Sequence, residues 1–118
     1  MTTPDSPADL AQRQLDAYNA RDLEAFLACY AEDCVVSAHP SGDTMLEGRE
    51  AMRVRYGRLF AEHPDLHCTL LARVEHDVFA IDHEHVVGIK PNAIVYAVAM
   101  YEVREGLIQR VWFLRDEA

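Results

Sequence analysis

The spacing of the hydrophobic residues changes once along this chain, near Leu66. Before that point they recur at the three- and four-residue intervals that place side chains on one face of a helix. After it they alternate with polar residues, as in half-buried strands. The alternation runs through four long stretches with breaks of two or three residues, at 66–75, 78–89, 93–104 and 107–115. Short breaks predict antiparallel hairpins, and helices followed by such a sheet predict an α+β fold of two layers.

Caps and helix-breaking residues predict three helices in the first half of the chain. A serine cap, a proline and an acid mark the start of the first helix at 6–9, and Asp22 can cap the second. The second helix contains residues at the helical period: Leu23, Phe26, Leu27 and Tyr30. The third is predicted over 49–62 and ends before Pro64. Two short strands are predicted between the second and third helices, at 34–38 and 44–47.

The chain has 118 residues, a length that predicts a single domain over 1–118, with residues 1–7 as a loose N-terminal tail. Half of the residues are apolar, which is enough for a core that needs no disulfides or metal ions. The formal net charge is −9, from 20 acidic and 11 basic residues. Because this charge repels phosphates and anionic membrane surfaces, we expect neither a nucleic-acid partner nor a membrane partner.

Four arginines of the predicted third helix form the basic cluster of this acidic chain: Arg49, Arg53, Arg55 and Arg58. A run of charged residues on a helix usually forms a solvated face. A site for an anion is the alternative interpretation.

Cys29, Cys34 and Cys68 are the three cysteines, an odd number without a C-x-x-C pair. This pattern favours neither a disulfide framework nor a zinc ribbon, and it fits the reducing cytoplasm. The first nine residues lack the apolar segment of a signal peptide, and no stretch approaches 18 continuous apolar residues. We therefore expect a cytoplasmic protein.

Four passages of the chain carry a resemblance to a known family. They are LDAYNARDLEAF at 15–26, YAEDCVV at 30–36, LEGREAM at 46–52 and YEVREGLI at 101–108. Their order and spacing resemble the NTF2-like superfamily, specifically its SnoaL-like and ketosteroid-isomerase-like branch. The resemblance implies a cone-shaped α+β barrel, with three N-terminal helices packed on a strongly curved antiparallel sheet and an apolar pocket at the open end. It also implies a dimer formed through the sheet, but no single activity, because this fold serves many.

Ketosteroid isomerase combines a carboxylate base with a tyrosine and a protonated aspartic acid that donate hydrogen bonds to the enolate. By resemblance, the tyrosine position is Gln14 and the aspartic acid position is Ala99. The position of the base is Ala38, or His39 if the gap is placed so that the prolines align. Since two of these groups are missing, steroid isomerisation by that mechanism is not expected.

Alternation within the long strands, together with the resemblance, predicts which side chains face the pocket. The predicted inward sets are 81, 83, 85 and 87; 97, 99 and 101; and 110, 112 and 114. The predicted pocket residues are Tyr18, for which a core position is the alternative, and His85, Ala99, Tyr101, Arg110, Trp112 and Leu114. Val111 and Phe113 on the opposite face are also apolar, so we expect a second copy of the sheet to cover that face in a homodimer.

Histidines are the candidate catalytic groups. His83 and His85 are two positions apart on a predicted strand and therefore point the same way. Near His39 they could transfer protons close to neutral pH, hold part of a zinc site, or make ordinary hydrogen bonds to neighbouring groups. No metal-binding motif supports zinc and no glycine-rich loop indicates a nucleotide, so neither a metal nor a cofactor is predicted.

Two functions fit these residues. The first is cofactor-independent proton transfer on a small apolar or ring-containing metabolite, which would cover isomerisation, cyclisation and dehydration. In that hypothesis His39 and His83 are catalytic, and Tyr101 or Trp112 stabilises an oxyanion. The second is a non-catalytic module that binds such a ligand.

Overall fold

Three helices and six strands make up the computed structural model, which describes residues 5–115 and, of Arg115, the backbone alone. The helices are α1 (Pro7–Ala20), α2 (Leu23–Leu27) and α3 (Arg49–Glu62). The strands are β1 (Tyr30–Ala38), β2 (Thr44–Glu47), β3 (His67–His76), β4 (Phe79–Val87), β5 (Val95–Arg104) and β6 (Leu107–Arg115). The predicted α+β class, with helices packed on a sheet, is confirmed.

The starts of the first two helices form as their sequences predict. The Ser6 hydroxyl accepts a hydrogen bond from the Asp9 amide, and the Asp9 carboxylate accepts one from the Ser6 amide, each at 3.1 Å. This reciprocal pair satisfies two amides near the first turn of α1. Asp22 caps α2 by accepting a hydrogen bond from the Ala25 amide at 3.1 Å. The predicted loose tail overlaps the start of α1, and residues 1–4 lie outside the described part of the chain.

The second helix is shorter than predicted, and the first strand is correspondingly longer. α2 ends at Leu27, and Tyr30 opens β1 instead of closing the helix. The reason is the neighbouring strand β6, whose Ile108 amide donates a hydrogen bond to the Cys29 carbonyl at 2.9 Å. Sheet pairing thereby supplies the backbone partner that another helical turn would have supplied.

The sheet has the order β2-β1-β6-β5-β4-β3, and its edge strands β2 and β3 do not pair with each other. It is therefore an open curved sheet, and the implied closed barrel is wrong. Neighbouring strands are antiparallel except β1 and β6, which run parallel. The prediction of a wholly antiparallel sheet is wrong at this pair, because β1 and β6 share no hairpin that would oblige them to run in opposite directions.

The register sorts the strand residues onto two faces, an inner face against the helices and an outer face opposite to it. Tyr101 on β5 pairs with Val111 on β6 and Ala80 on β4, and all three are buried on the inner face. We call a set of residues that pair across neighbouring strands a row. The next rows on the inner face are Phe113, Ala99, Asp82 and Arg73; then Ala97, Glu84 and Leu70; then Val95, Val86 and Cys68. The helices complete the core above these rows with apolar side chains that include Leu10, Leu15, Phe26, Met52 and Phe60.

Candidate functional site

A cavity of about 400 Å³ lies between the helices and the inner face of the sheet. Each helix contributes an aromatic wall residue, Tyr18 from α1, Phe26 from α2 and Tyr56 from α3. The rings pack against one another, with the centroids of Phe26 and Tyr56 4.6 Å apart. A cavity of this size with mostly apolar walls suits a small, largely apolar ligand.

Glu84 is the acid in the wall of this cavity. Its neighbours on the adjoining strands are Leu70 and Ala97, and its side chain is 6% exposed. Within residues 5–115, its Oε2 atom is buried without a hydrogen-bond partner. Burial raises the pKa of the Glu84 carboxyl from its ordinary value of 4.5 to about 7, and the charge of Asp82 adds to the rise. A carboxyl with a pKa near neutrality can both accept and return a proton under physiological conditions.

The thiol of Cys68 on β3 is a polar neighbour of Glu84 in the same wall. Burial raises the pKa of Cys68 far above its ordinary value, so the thiol stays protonated and serves as a donor rather than a nucleophile. The thiol acts on the Glu84 carboxyl as a neighbouring donor, which lowers the pKa of that acid and opposes part of its rise. The Asn19 side chain holds the Cys68 backbone, donating to its carbonyl at 2.9 Å and accepting from its amide at 2.8 Å.

An ion pair between Arg73 and Asp82 lies one inner row away from Glu84. Arg73 donates two hydrogen bonds to Asp82, from Nε to Oδ1 at 2.7 Å and from Nη2 to Oδ2 at 2.9 Å. Asp82 is fully buried, and this two-pronged geometry is the strongest form that an arginine–carboxylate pair takes. The opposite charges of the pair act on Glu84 in opposite directions, since Asp82 raises its pKa and Arg73 lowers it.

Tyr101 lines the cavity from β5 and is 2% exposed. Burial raises the pKa of its hydroxyl well above the usual value of 10, and the charge of Glu84 adds to the rise, so the hydroxyl remains a donor. A protonated phenol in the cavity wall can donate one hydrogen bond. The hydroxyl can therefore donate to a ligand oxygen.

Tyr30 is the second buried tyrosine of the wall, and its hydroxyl is already used. It donates a hydrogen bond to Gln14 Oε1 at 3.1 Å, while Gln14 Nε2 donates to the Ala11 carbonyl at 2.9 Å. Gln14 stands at the position of the ketosteroid isomerase tyrosine by resemblance. Here it orients another tyrosine instead of presenting a hydroxyl of its own.

Two of the predicted pocket residues, Tyr18 and Tyr101, lie in the wall of the cavity. Ala99 is on the inner face but is completely buried and does not line the cavity. His39 lies in the exposed turn after β1, outside the cavity wall. The structure thus does not place His39 in the cavity wall, where a site shared with His83 and His85 was considered.

The remaining predicted site residues lie on the outer face: His83, His85, Arg110, Trp112 and Leu114. On β4 the assigned face is reversed, because Glu84 pairs with Ala97, which lines the cavity, and its neighbour His83 must then point away. On β6 the reversal has the same cause, since Phe113 pairs with the inward Ala99. His85 and Tyr96 pack together outside, with ring centroids 5.8 Å apart.

Glu84 and Cys68 are the site residues that the sequence analysis missed. Alternation together with the resemblance assigned the inner face of β4 to the histidines, which left the acids on the outer face. The predicted break at 90–92 would pair His85 with Ala97 and so agrees with that assignment, whereas the observed register is shifted by one residue. The observed pairing of Glu84 with Ala97 places the acid on the face of Ala97 and Tyr101, which alternation had assigned to the pocket.

No cluster of three or more metal-ligating side chains occurs among the described residues. Within the same residues, no helix has both the length and the apolar character required to cross a membrane. The polar side chains that line the cavity are those of an acid, two cations, four tyrosines, a thiol and an amide, and groups of these kinds support proton transfer and hydrogen bonding.

The chain was compared with known proteins. A family model described as a SnoaL-like domain matches residues 11–111, and no curated protein matches the chain.

An uncharacterized cystatin fold protein from Novosphingobium aromaticivorans is 26% identical with a TM-score of 0.84, over 94% of this chain and 99% of that one. Two structures share the fold at a TM-score of 0.77. A proposed ketosteroid isomerase from Kribbella flavida is 24% identical over 92% of this chain and 76% of its own. IdmH, a proposed polyketide cyclase from Streptomyces antibioticus, is 22% identical over 95% of this chain and 93% of its own. Because the family match spans most of the sequence, this chain belongs to the SnoaL-like family of NTF2-like proteins.

Proposed function

We propose that this protein transfers protons, without a cofactor, on a small and mostly apolar ring-containing carbonyl compound, with Glu84 as the general acid–base. The observation that carries the proposal is a buried carboxyl with an unpartnered oxygen in the wall of an apolar cavity. Buried polar atoms without partners are rare in proteins, and at a cavity wall they indicate a ligand-binding position.

The pKa of Glu84 supports this role. A general base works best when its pKa lies close to the operating pH, because the correct protonation state and the driving force for transfer are then both available. With a pKa of about 7, Glu84 is present in both forms near neutrality. The outward histidines do not line the cavity, so we do not assign the base to them.

Tyr101 is the proposed donor to the carbonyl oxygen of the ligand. It lies on the same inner face as Glu84. The row that contains Tyr101 is four residues along the strands from the row that contains Glu84, which is a separation of about 13 Å. Both residues line the same cavity, and the charge of Glu84 contributes to the raised pKa of Tyr101. A ring ketone placed between them would present its α-carbon to the acid and its oxygen to the hydroxyl.

The proposed reaction begins when Glu84 removes a proton from the carbon beside the carbonyl group. The electron pair of the broken C–H bond forms a carbon–carbon double bond, and the π pair of the carbonyl group moves onto its oxygen, where the hydrogen bond from Tyr101 stabilises the developing charge. In a substrate whose enolate is conjugated with a further carbon–carbon double bond, Glu84 then returns the proton to the far carbon of the dienolate, so the double bond shifts, the product is an isomer and the enzyme is regenerated. An enolate that instead attacks a second carbonyl group of the same molecule closes a ring.

The names of two fold relatives support this class of reaction. The Kribbella flavida protein is a proposed ketosteroid isomerase and IdmH is a proposed polyketide cyclase. Ketosteroid isomerisation proceeds through an enolate stabilised by hydrogen bonds. The present chain differs from ketosteroid isomerase in the position of its base, which we place on β4.

Deuterium exchange tests the proposal without knowledge of the natural substrate. The protein is incubated in D₂O with ring ketones such as 2-tetralone, and incorporation at the α-carbon is followed by NMR. We expect the wild type to accelerate exchange and Glu84→Gln to lose about a hundredfold or more of that acceleration. Glu47→Gln, which changes an exposed acid on β2, is the matched control and should retain full activity.

A folded Glu84→Gln variant that keeps the exchange rate of the wild type would overturn the role of Glu84. Circular dichroism of both variants confirms that they are folded. A wild type that binds ring ketones with no exchange would instead favour the alternative function, a module that binds a ligand without converting it.

A further inference from the structure

Three of the four arginines on α3 are held by interactions within the protein. Arg49 donates a hydrogen bond to the Tyr30 carbonyl, and Arg53 pairs with Glu24. Arg58 pairs with Glu62 at 3.6 Å. Arg55 and Arg58 are exposed whereas Arg49 and Arg53 are part-buried, so the prediction of a solvated helix face describes two of the four. Arg55 differs from the other three, because it lines the cavity.

Arg55 and Lys90 are the two cations of the cavity wall. Arg55 comes from α3, and Lys90 comes from the loop between β4 and β5. Both side chains are exposed, and neither forms an ion pair with any residue in the described range 5–115. In a chain with a net charge of −9, two unpaired cations on one cavity are an unusual local concentration of positive charge.

The charges of the cavity are separated by depth. Glu84 is 6% exposed and therefore lies deep in the wall, whereas Arg55 and Lys90 are exposed and mark the opening. Glu84 stands three residues before the end of β4, and Lys90 follows that end, so at least about 10 Å of strand separates the acid from the opening. The wall between them includes the apolar side chains of Leu59, Ile89 and Val95.

We propose that the ligand is an amphipathic ring compound with an anionic group, such as a carboxylate, which stays at the opening with Arg55 and Lys90 while the apolar rings extend toward Glu84. The proposal rests on the same cavity as the proposed function, and it names the class of substrate. A fused-ring acid has the required length. An anion at the opening keeps part of its hydration, whereas an anion beside Glu84 would meet a second acid in an apolar environment.

A pair of fluorescent probes tests the proposal by binding alone. The probes are 8-anilinonaphthalene-1-sulfonate and N-phenyl-1-naphthylamine, which share their rings and differ in the sulfonate. Both gain fluorescence in apolar surroundings. We expect Arg55→Gln and Lys90→Gln each to weaken sulfonate binding by about three- to tenfold, the range for a partly exposed charge-assisted hydrogen bond. Binding of the neutral amine should stay within twofold of the wild type.

Two further variants complete the experiment. Arg58→Gln removes an arginine of the same helix that does not line the cavity, and it should leave both probes unaffected. Ala97→Leu adds volume to the cavity wall and should weaken both probes, provided that circular dichroism shows a folded protein. The proposal is overturned if Arg55→Gln weakens binding of the neutral amine as much as binding of the sulfonate. It is also overturned if Arg55→Gln weakens binding of neither probe. Probe binding that survives in folded Ala97→Leu overturns it as well.

The outcome is independent of catalysis. If the role of Glu84 is wrong, Glu84→Gln keeps its rate of deuterium exchange, while the sulfonate still depends on Arg55 and Lys90. If the proposed negative charge of the ligand is wrong, binding of the sulfonate does not depend on Arg55 and Lys90, while Glu84→Gln still lowers the rate of deuterium exchange.

Discussion

Glu84 on β4 lies directly opposite Ala97 on β5, and both residues line the cavity. The small side chain of alanine leaves open the space beside the acid, which a larger residue at the same position would fill. Burial of the carboxyl and access to it therefore coexist, because the sheet excludes water from one side while the cavity remains on the other. The consequences of this pairing can be measured in stability and in rate.

Glu84→Gln is expected to make the protein more stable near and above neutral pH. The pKa of Glu84 is about 7 in the folded protein, compared with an ordinary value of 4.5. The folded state therefore binds this proton more tightly than the unfolded state, and the wild type loses stability as the pH rises from about 4.5 through about 7. The loss is about 3 kcal/mol when complete, and the glutamine variant should not show it.

Urea unfolding at several pH values between 5 and 8 measures this difference. Glu47→Gln, which changes an exposed acid, should keep the pH dependence of the wild type. If Glu84→Gln also kept that dependence, the raised pKa assigned to Glu84 would be wrong.

Tyr101→Phe is expected to lower the rate of deuterium exchange by about a hundredfold, the usual cost of removing one donor to an oxyanion. Binding of the neutral naphthylamine should change little, because the ring that forms the wall is retained. The pH at which the rate is half-maximal should remain near the pKa of Glu84, since the base is unchanged. The matched control is Tyr96→Phe, which alters a tyrosine beside His85 on the outer face. Equal rates in the two variants would exclude Tyr101 as the donor.

Asn19→Ala is expected to lower the free energy of unfolding by about 2 kcal/mol, because it removes two hydrogen bonds and leaves a part-buried amide without a partner. The backbone amide of Cys68 should also exchange with solvent faster. Gln109→Ala, which removes one exposed hydrogen bond, should cost about 0.5 kcal/mol or less. A Cys68 amide that stays as protected in Asn19→Ala as in the wild type would contradict the proposed clamp between α1 and β3.

The homodimer through the outer face remains a prediction. This face carries exposed apolar side chains, among them Val74 at 59% and Leu114 at 46% exposure. Because contiguous exposed apolar surface favours association, we expect a particle of about twice the 13.4 kDa chain mass in light scattering at micromolar concentration. Val74→Glu should shift the particle toward the monomer, whereas Val54→Glu, at an exposed valine on α3, should not. A wild type of monomeric mass would refute the prediction.

The local elements of this fold were predictable because their determinants are local. Ser6 and Asp9 form the capping pair that their spacing predicts, and Asp22 caps α2. The strands β2 and β6 have the predicted bounds, since turn residues define their ends. The parallel pairing of β1 and β6 was not predictable in this way, because it joins segments that no turn connects.

The site was less predictable than the fold for a physical reason. Alternation assigns acids to solvent because an isolated buried charge is costly. On β4, Asp82 escapes that cost through Arg73 on the neighbouring strand, and Glu84 escapes it by remaining largely protonated up to neutral pH. Both compensations depend on the tertiary structure. Local alternation could not include them, and the predicted break at 90–92 gives a register one residue away from the observed one, so the histidines rather than the acids were assigned to the inner face.

The position of β6 in the strand order governs how this protein can be assembled during synthesis. β6 stands between β1 and β5, so it joins the β1–β2 pair to the β3–β5 meander. The ribosome releases β1 and β2 early, but the strand that binds them to the rest of the sheet emerges after all the others. Until then, the backbone groups along one side of β1 lack their partner. The sheet of this protein is therefore completed only after translation has passed β6. Ribosome-bound chains that lack β6 expose two strand edges more than the complete sheet does, those of β1 and β5.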